Sequence, residues 1–383
     1  MHILQIHTRY RQRGGEDAVV ENERRILTAA GHEVDVWSPM NPESAVDGAK
    51  SLAMAPWNPL RRREVAQLLS GRRPDVVHVH NTWFAASPSV IDAVASAGCP
   101  VVMTLHNYRL VCAGAELVRD ERPCELCVGR GPWSAVRYGC FRDSRPASAI
   151  SAATIAFNRW RGTWSESVAR FAALTEFARG RLVAGGLPSD RVGVVPNFVA
   201  DPGSRSTPPS SSNTVLFVGR LTNAKGVRTL FDAWERLGPT GLRLRVVGSG
   251  PLEEELAARA LPGVEMLGWM PAEQVREEML SSRVLVFPSE WYEGMPMTLL
   301  EAFAAGLPVL GSDIGSVAEI VGSLGSDWLV APGSADGWAM ALRALTDDRI
   351  DAAGSRARQI FETSHTETAG LARLEALYRG VIG

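Results

Sequence analysis

The chain is predicted to be an α/β protein built from two doubly wound domains. Short β-branched runs alternate with helical stretches along the whole length, as in parallel sheets covered by helices on both faces. A chain of 383 residues exceeds one ordinary core, and 45% hydrophobic residues suffice to build two. The segment Asp201-Pro-Gly-Ser-Arg-Ser-Thr-Pro-Pro-Ser-Ser-Ser-Asn213 has no apolar periodicity and concentrates turn formers, so it divides the alternation as an exposed linker.

In the first series, strands are expected at 3–6, 34–37, 76–79, 101–105, 172–175 and 192–195, with a helix over 17–29. In the second they are expected at 215–218, 242–247, 264–267, 284–287, 308–311 and 328–330. Helices are expected near 226–236, 252–260, 272–280 and 298–305. Leu371, Leu374, Leu377 and Tyr378 recur at helical spacing, so 366–383 reads as an amphipathic closing helix packing back on the first domain. The expected organisation is 1–197, with a cysteine-rich insert at 108–146, then a linker at 198–213 and a second domain at 214–365.

A formal charge of −2 excludes a general electrostatic attraction to nucleic acid. The clusters Arg61-Arg62-Arg63 and Arg72-Arg73 read as solvated helix faces. The N-terminal run Met1–His7 lacks a basic region, and nothing approaches the ~20 apolar residues of a membrane span. The expectation is a cytoplasmic protein, at most peripheral at the inner membrane face. The Arg61–Arg63 cluster and the Trp160/Trp164 region are the weak candidates for such an association.

In open α/β sheets, ligands bind beyond the carboxyl ends of the strands, so the chemistry is sought there. Arg13-Gly-Gly-Glu-Asp17 follows the first strand; Gly14 and Gly15 let backbone amides approach an anion at a helix start, although such a pair also serves as a plain turn. Val218-Gly-Arg-Leu-Thr-Asn-Ala-Lys-Gly226 places Arg220 and Lys225 on a strand-to-helix turn, where two cations can neutralise a diphosphate leaving group or simply decorate a loop. Val247-Gly-Ser-Gly-Pro251, with Gly248 and Gly250, suits close passage of a nucleotide or a Pro-started helix. In Glu293-Gly-Met-Pro-Met-Thr-Leu-Leu-Glu301, the run Gly294, Met295, Pro296, Met297 and Thr298 surrounds a helix start, and its amides suit phosphate or sugar oxygens. Thr298 to Glu301 also fits a capping box, in which Glu301 would only satisfy backbone amides; capping does not explain Glu293.

Together these features resemble the retaining GT-B glycosyltransferases of family 4 over nearly the whole chain, through the E-x7-E pair Glu293/Glu301 and the G-R-x4-K-G run Gly219–Gly226. The resemblance implies two Rossmann-like domains facing a cleft, with a nucleoside diphosphate sugar as donor and a hydroxyl acceptor. It implies that Arg220 and Lys225 hold the diphosphate, Glu293 the donor sugar, Glu301 the ribose, and Gly14 and Gly15 the donor phosphates. His106, in Thr104-Leu-His-Asn-Tyr108, is similar to the family's active-site histidine, with Asn107 where Asp is usual. Glu176 and Asn197 resemble residues after the last two strands of the first domain, and Glu293-Gly-Met-Pro replaces the frequent Glu-Gly-Phe-Gly.

Transfer with retention is the leading expectation, by same-face attack in which the departing phosphate takes the acceptor proton. The cations carry the leaving group, so no catalytic metal is required. An epimerase acting on a sugar nucleotide and a non-catalytic sugar-nucleotide-binding protein are the alternatives. Cys112, Cys124, Cys127 and Cys140 crowd the insert; they offer either a tetrahedral structural zinc site or reduced, partly buried thiols. Pro123-Cys-Glu-Leu-Cys127 lacks the His-x-Glu that zinc deaminase chemistry requires.

Overall fold

A computed structural model describes residues 1–9 and 14–382. The chain divides into two compact units. The first comprises 1–117, 124–197 and 371–383; the second comprises 118–123 and 198–370.

The first unit holds a parallel six-stranded sheet of β1 (His2–His7), β2 (Glu33–Trp37), β3 (Val76–Asn81), β4 (Val101–Leu105), β7 (Arg170–Ala173) and β8 (Val192–Val194) in the order β2-β1-β3-β4-β7-β8. In sequence between β4 and β7, the insert forms a small antiparallel hairpin, β5 (Val118–Arg119) and β6 (Arg122–Pro123), which belongs to the second unit. All six residues of β3 are buried, polar ones included, because helices cover both faces of the sheet. The β7 strand starts and ends two residues earlier than expected. Thr175 is withdrawn from the strand because its hydroxyl accepts from the Ala178 amide, 3.1 Å away, and caps the helix Glu176–Ala184.

The second unit holds a parallel sheet of β9 (Thr214–Val218), β10 (Arg243–Val247), β11 (Val264–Gly268), β12 (Val284–Phe287), β13 (Val309–Ser312) and β14 (Leu329–Val330). Its order, β11-β10-β9-β12-β13-β14, reverses direction between β9 and β12. That reversal is the topological switch point where doubly wound sheets receive ligands. The helix Val227–Leu237 buries the stripe Val227, Leu230, Phe231, Trp234 and Leu237 against this sheet, a 3.6-residue repeat read directly from sequence. Both units are α/β, in agreement with the predicted class. Among the described residues, no helix is long and apolar enough to cross a membrane.

The structure corrects two expectations. Residues 198–213 are not a free exposed tether: Phe198 and Pro209 are buried, and the Arg205 guanidinium donates to the carbonyls of Met279 and Ser282 at 2.8 and 2.7 Å. Trp164 is buried at 4% exposure, whereas Trp160 is 80% exposed, so only the latter is a surface aromatic.

The closing helix spans Glu367–Arg379 and crosses back to the first unit from Leu371 onward. Leu374 and Tyr378 are its buried positions, and the Tyr378 hydroxyl shares a 2.8 Å hydrogen bond with His78 Nδ1. Gly370 precedes this crossing, and a Cβ there would lie 2.2 Å from the Phe198 ring. Gly370→Ala is therefore expected to destabilise by roughly 1–3 kcal/mol through overpacking, read as a lowered thermal midpoint; an unchanged midpoint would show that Phe198 repacks freely.

Candidate active site

Three loops at the carboxyl ends of β9, β10 and β12 are locked together by backbone approach. Gly248 has φ +134°, and a Cβ there would sit 1.9 Å from the Gly219 carbonyl oxygen. A Cβ on Gly250 would sit 2.6 Å from the Leu221 carbonyl oxygen. The glycines of Val247–Pro251 are thus required, first of all, for the Arg220 loop to lie against them. Leu221 N–H donates to the Ser249 carbonyl at 3.0 Å and Gly219 N–H to the Val247 carbonyl at 3.0 Å. On the other side Gly226, at φ +67°, approaches so closely that a Cβ would overlap the Pro288 carbonyl at 1.8 Å. Glu290 N–H then donates to the Ala224 carbonyl at 2.9 Å.

This lock brings Lys225 to Glu293. Lys225 Nζ donates to Glu293 Oε1 at 2.6 Å, and the same oxygen accepts from the Ser289 hydroxyl at 2.8 Å and the Trp291 indole N–H at 2.7 Å. Glu293 is 7% exposed, so its charge is held by three donors in a low-dielectric position. The Lys225 ammonium also stands 5.5 and 5.6 Å from the ring centroids of Phe287 and Trp291, which adds a cation–π attraction. Arg220 is exposed at the β9 end.

The following helix runs Met297–Ala304 with Pro296 at its N-cap and no side-chain cap. Thr298 is already the second helical residue, so the capping box suggested by Thr298 and Glu301 does not form, and Glu301 is released from that structural role. It is half-buried, and burial raises its carboxyl above the usual range while Arg276 pulls it down. Gly294, Met295, Pro296, Met297 and Thr298 form the approach to this helix, with Met295 buried.

In the first unit, Gly14 caps the helix Gly15–Ala29, which starts two residues earlier than expected; Gly14 N–H donates to Asp17 Oδ2 at 2.9 Å. Both glycines are exposed, and Arg13 of the same motif lies outside the described residues. Asp17 also binds His7 Nε2 at 2.9 Å. His106 follows β4 directly and is stacked on His80, its Nε2 3.1 Å from His80 Nδ1. His106, Asn107, Arg109, Thr82 and Trp83 line a pocket floored by Thr154, Ile155 and Trp164. Arg109 sits 4.5 Å over the Trp83 ring. Glu176 is exposed at a helix start and Asn197 is buried.

Behind His106 lies a cluster that the sequence pattern did not reveal. Glu23, at 4% exposure on the inner stripe of the first helix, places Oε2 3.4 Å from both His78 Nδ1 and His80 Nε2. Burial pushes the Glu23 carboxyl up to about 8 and His78 down to about 3. It lowers His80 as well, with His78, His106 and His7 adding to that effect. Glu23, His78 and His80 offer ligand atoms within 4.8 Å of one another. His78, however, already uses both ring nitrogens, on Tyr378 and on Thr104 at 2.8 Å, and burial raises the Glu23 carboxyl, so the cluster is a buried group of low charge in which Glu23 makes no hydrogen bond to either histidine. The available signal was a Glu interrupting Val19, Val20, Ile26 and Leu27 on a buried face.

Two family descriptions match this chain: Glycosyltransferase Family 4 over residues 13–201 and Glycosyl transferases group 1 over residues 212–348. The chain belongs to the GT4-type glycosyltransferases of GT-B fold. Among its relatives, the putative colanic acid biosynthesis glycosyltransferase WcaL of Escherichia coli (strain K12) is 27% identical over 331 residues, covering 79% of this chain and 78% of that one. The phosphatidyl-myo-inositol mannosyltransferase of Mycolicibacterium smegmatis is 27% identical over 369 residues, covering 90% of this chain and 84% of the relative. The crystal structure of Anabaena Alr3699/HepE in complex with UDP matches with a TM-score of 0.68 at 17% identity, covering 99% of this chain and 100% of that chain.

In this glycosyltransferase, the buried Glu23 and His78 predict a pH signature. A raised Glu23 value means that the folded chain binds the proton more tightly than the unfolded chain, so stability falls as pH rises from about 4.5 toward 8. His78 acts oppositely: held at about 3, it loses stability for the fold only as pH drops below 6.5. Between pH 6.5 and 8 the Glu23 effect stands alone of the two, at up to about 1.4 kcal/mol per pH unit. The Glu23→Gln variant should therefore lose this decline, so its thermal midpoint gains on wild type as pH rises through the window; a pH-independent difference rejects the assignment.

Proposed function

We propose that this glycosyltransferase moves a sugar from a nucleoside diphosphate sugar to a hydroxyl acceptor, with retention of anomeric configuration. The Lys225–Glu293 pair at the switch point of the second sheet carries this reading. Lys225 and Arg220 take the diphosphate, Glu301 the ribose hydroxyls, and the amides before the helix Met297–Ala304 the phosphate or sugar oxygens. Gly14 and Gly15 add backbone donors toward the donor phosphates. Glu293 has two duties: it fixes the ammonium of Lys225 and presents a carboxylate edge to the sugar.

Departure of the diphosphate breaks the anomeric C–O bond as the acceptor oxygen bonds to the same face. The acceptor proton passes to the departing phosphate oxygen. His106 orients the donor sugar, held by its 3.1 Å contact with His80. The cations stabilise negative charge as it develops, so electrostatics supplies the main catalytic term and no metal is needed in that role.

The UDP held by the Anabaena protein of like fold supports a sugar-nucleotide donor. The colanic acid and phosphatidyl-myo-inositol relatives support a polysaccharide or glycolipid acceptor. Exposed Trp160 and Leu60, the latter beside the arginine cluster, are consistent with an acceptor met at a membrane surface.

Lys225→Ala is expected to lower turnover by about 10²–10³-fold, the scale for removing one preorganised charge donor, while circular dichroism stays unchanged. Near-normal turnover would sink the leaving-group assignment. UDP-, GDP-, ADP- and dTDP-sugars screened with and without acceptor, with products identified by mass spectrometry, test the donor class. Donor consumed without acceptor would instead identify epimerisation.

A further inference from the structure

We infer that Cys112, Cys124, Cys127 and Cys140 together bind one structural zinc ion that clamps the insert between β4 and the helix Arg145–Trp160. The inference is independent of the transfer reading, since none of the four thiols belongs to the donor or His106 sites.

The four cysteines are separated by 11, 2 and 12 residues, and each emerges from a different turn of the insert. Cys112 N–H donates to the Tyr108 carbonyl at 2.8 Å, Cys124 N–H to Leu117 at 2.7 Å, and Cys140 N–H to Ala135 at 3.1 Å after the short helix Ser134–Tyr138. The chain nonetheless brings Cys112, Cys127 and Cys140 into one region, and the C-x2-C spacing ties Cys124 to Cys127. A Cβ on Gly114 would lie 3.8 Å from Cys112 Sγ and 3.7 Å from Cys140 Cβ, so these two flank one glycine. Cys127 and Cys140 pack in one cluster with Ala113, Ala135, Ala152 and Ile155. None of the four is joined in a disulfide.

The insert also needs a fastening that its own secondary structure does not provide. Its regular elements are two strands of two residues each and a helix of five. Ala115, Leu117, Asp120, Glu121, Arg142 and Asp143 all adopt left-handed φ, leaving only Ser87 and Ala260 as non-glycine residues of this kind elsewhere among the described residues. Strained backbone persists only where its surroundings over-determine it. A tetrahedral metal gripping the segment at four points supplies that constraint.

No three of the four sulfurs stand within 4.8 Å of one another, so Zn–S bonds of about 2.3 Å require the insert to contract around the ion. On binding, four thiols release four protons to solvent and four Zn–S bonds form, leaving a site of net charge −2 without any redox change. The clamp would secure the base of the hairpin β5–β6, whose tip residue Glu121 accepts a hydrogen bond from Asn223.

The test uses the full chain, purified without an affinity tag that binds metal. Elemental analysis is expected to give about one zinc per chain. Replacement by cobalt is expected to give sulfur-to-cobalt charge-transfer absorption with tetrahedral visible bands. The Cys124→Ser/Cys127→Ser double variant should hold less than a tenth of the zinc, while Cys99→Ser keeps it. Should the double variant fail to fold, the wild-type cobalt spectrum decides alone. Chelator treatment of wild type should speed proteolysis between 112 and 140 at least tenfold. The proposal is overturned by a chain that takes up no added zinc, by cobalt bound without the sulfur charge-transfer band, or by peptide maps showing these cysteines joined as disulfides.

Discussion

The approach of backbone to backbone at Gly226 and Gly248 is the constraint on which the second unit's chemistry depends. Neither position tolerates a Cβ: one would meet the Pro288 carbonyl and the other the Gly219 carbonyl. Three strand-end loops therefore stand as one body at the point where the sheet order reverses. Lys225 and Glu293, 68 residues apart, meet because of this, and neither has to be searched for by a flexible side chain. A charged pair this buried gains little net stability for the fold, because desolvation offsets most of the attraction. Its value lies in placement: the ammonium is fixed before any ligand arrives, so little reorganisation is left for the moment of reaction.

The α/β class, the two strand series and the amphipathic return of the last helix were legible in the sequence, because each rests on a period that local composition writes plainly. The helix Val227–Leu237 is the clearest case. Motif positions that depend on local strand-to-helix geometry were legible too, namely Arg220, Lys225 and Glu293. The misreadings came from local rules that tertiary structure overrode. Thr298 looked like a cap, but Pro296 takes that position and starts the helix one residue earlier. The glycines of Val247–Pro251 looked like room for a nucleotide, yet their first partner is the protein's own Arg220 loop. Trp164 looked like surface beside Trp160 and is instead core.

Glu23 shows why the remainder was not legible. Its helix reads as amphipathic, and nothing in a period of 3.6 residues tells a solvated glutamate from one turned inward. Only the assembled sheet reveals that β3 sends His78 and His80 toward it and that β4 carries His106 one step further. The partners come from positions 23, 78, 80, 106 and 378, brought together by strand order rather than by any motif.

The two units thus present opposite electrostatic characters, and the contrast follows from burial. In the second unit two cations stand at the strand ends, one exposed at Arg220 and one paired at Lys225, an arrangement that suits a ligand bearing phosphates. In the first unit burial discharges the polar groups: Glu23 is held protonated and His78 and His80 neutral. The uncharged His80–His106 pair offers a hydrogen bond without a field, and hydroxyls are recognised by such geometry more than by charge. A cationic His106 would instead draw anionic groups to itself. Burial holds that histidine well toward its neutral form, with a value lowered to about 3.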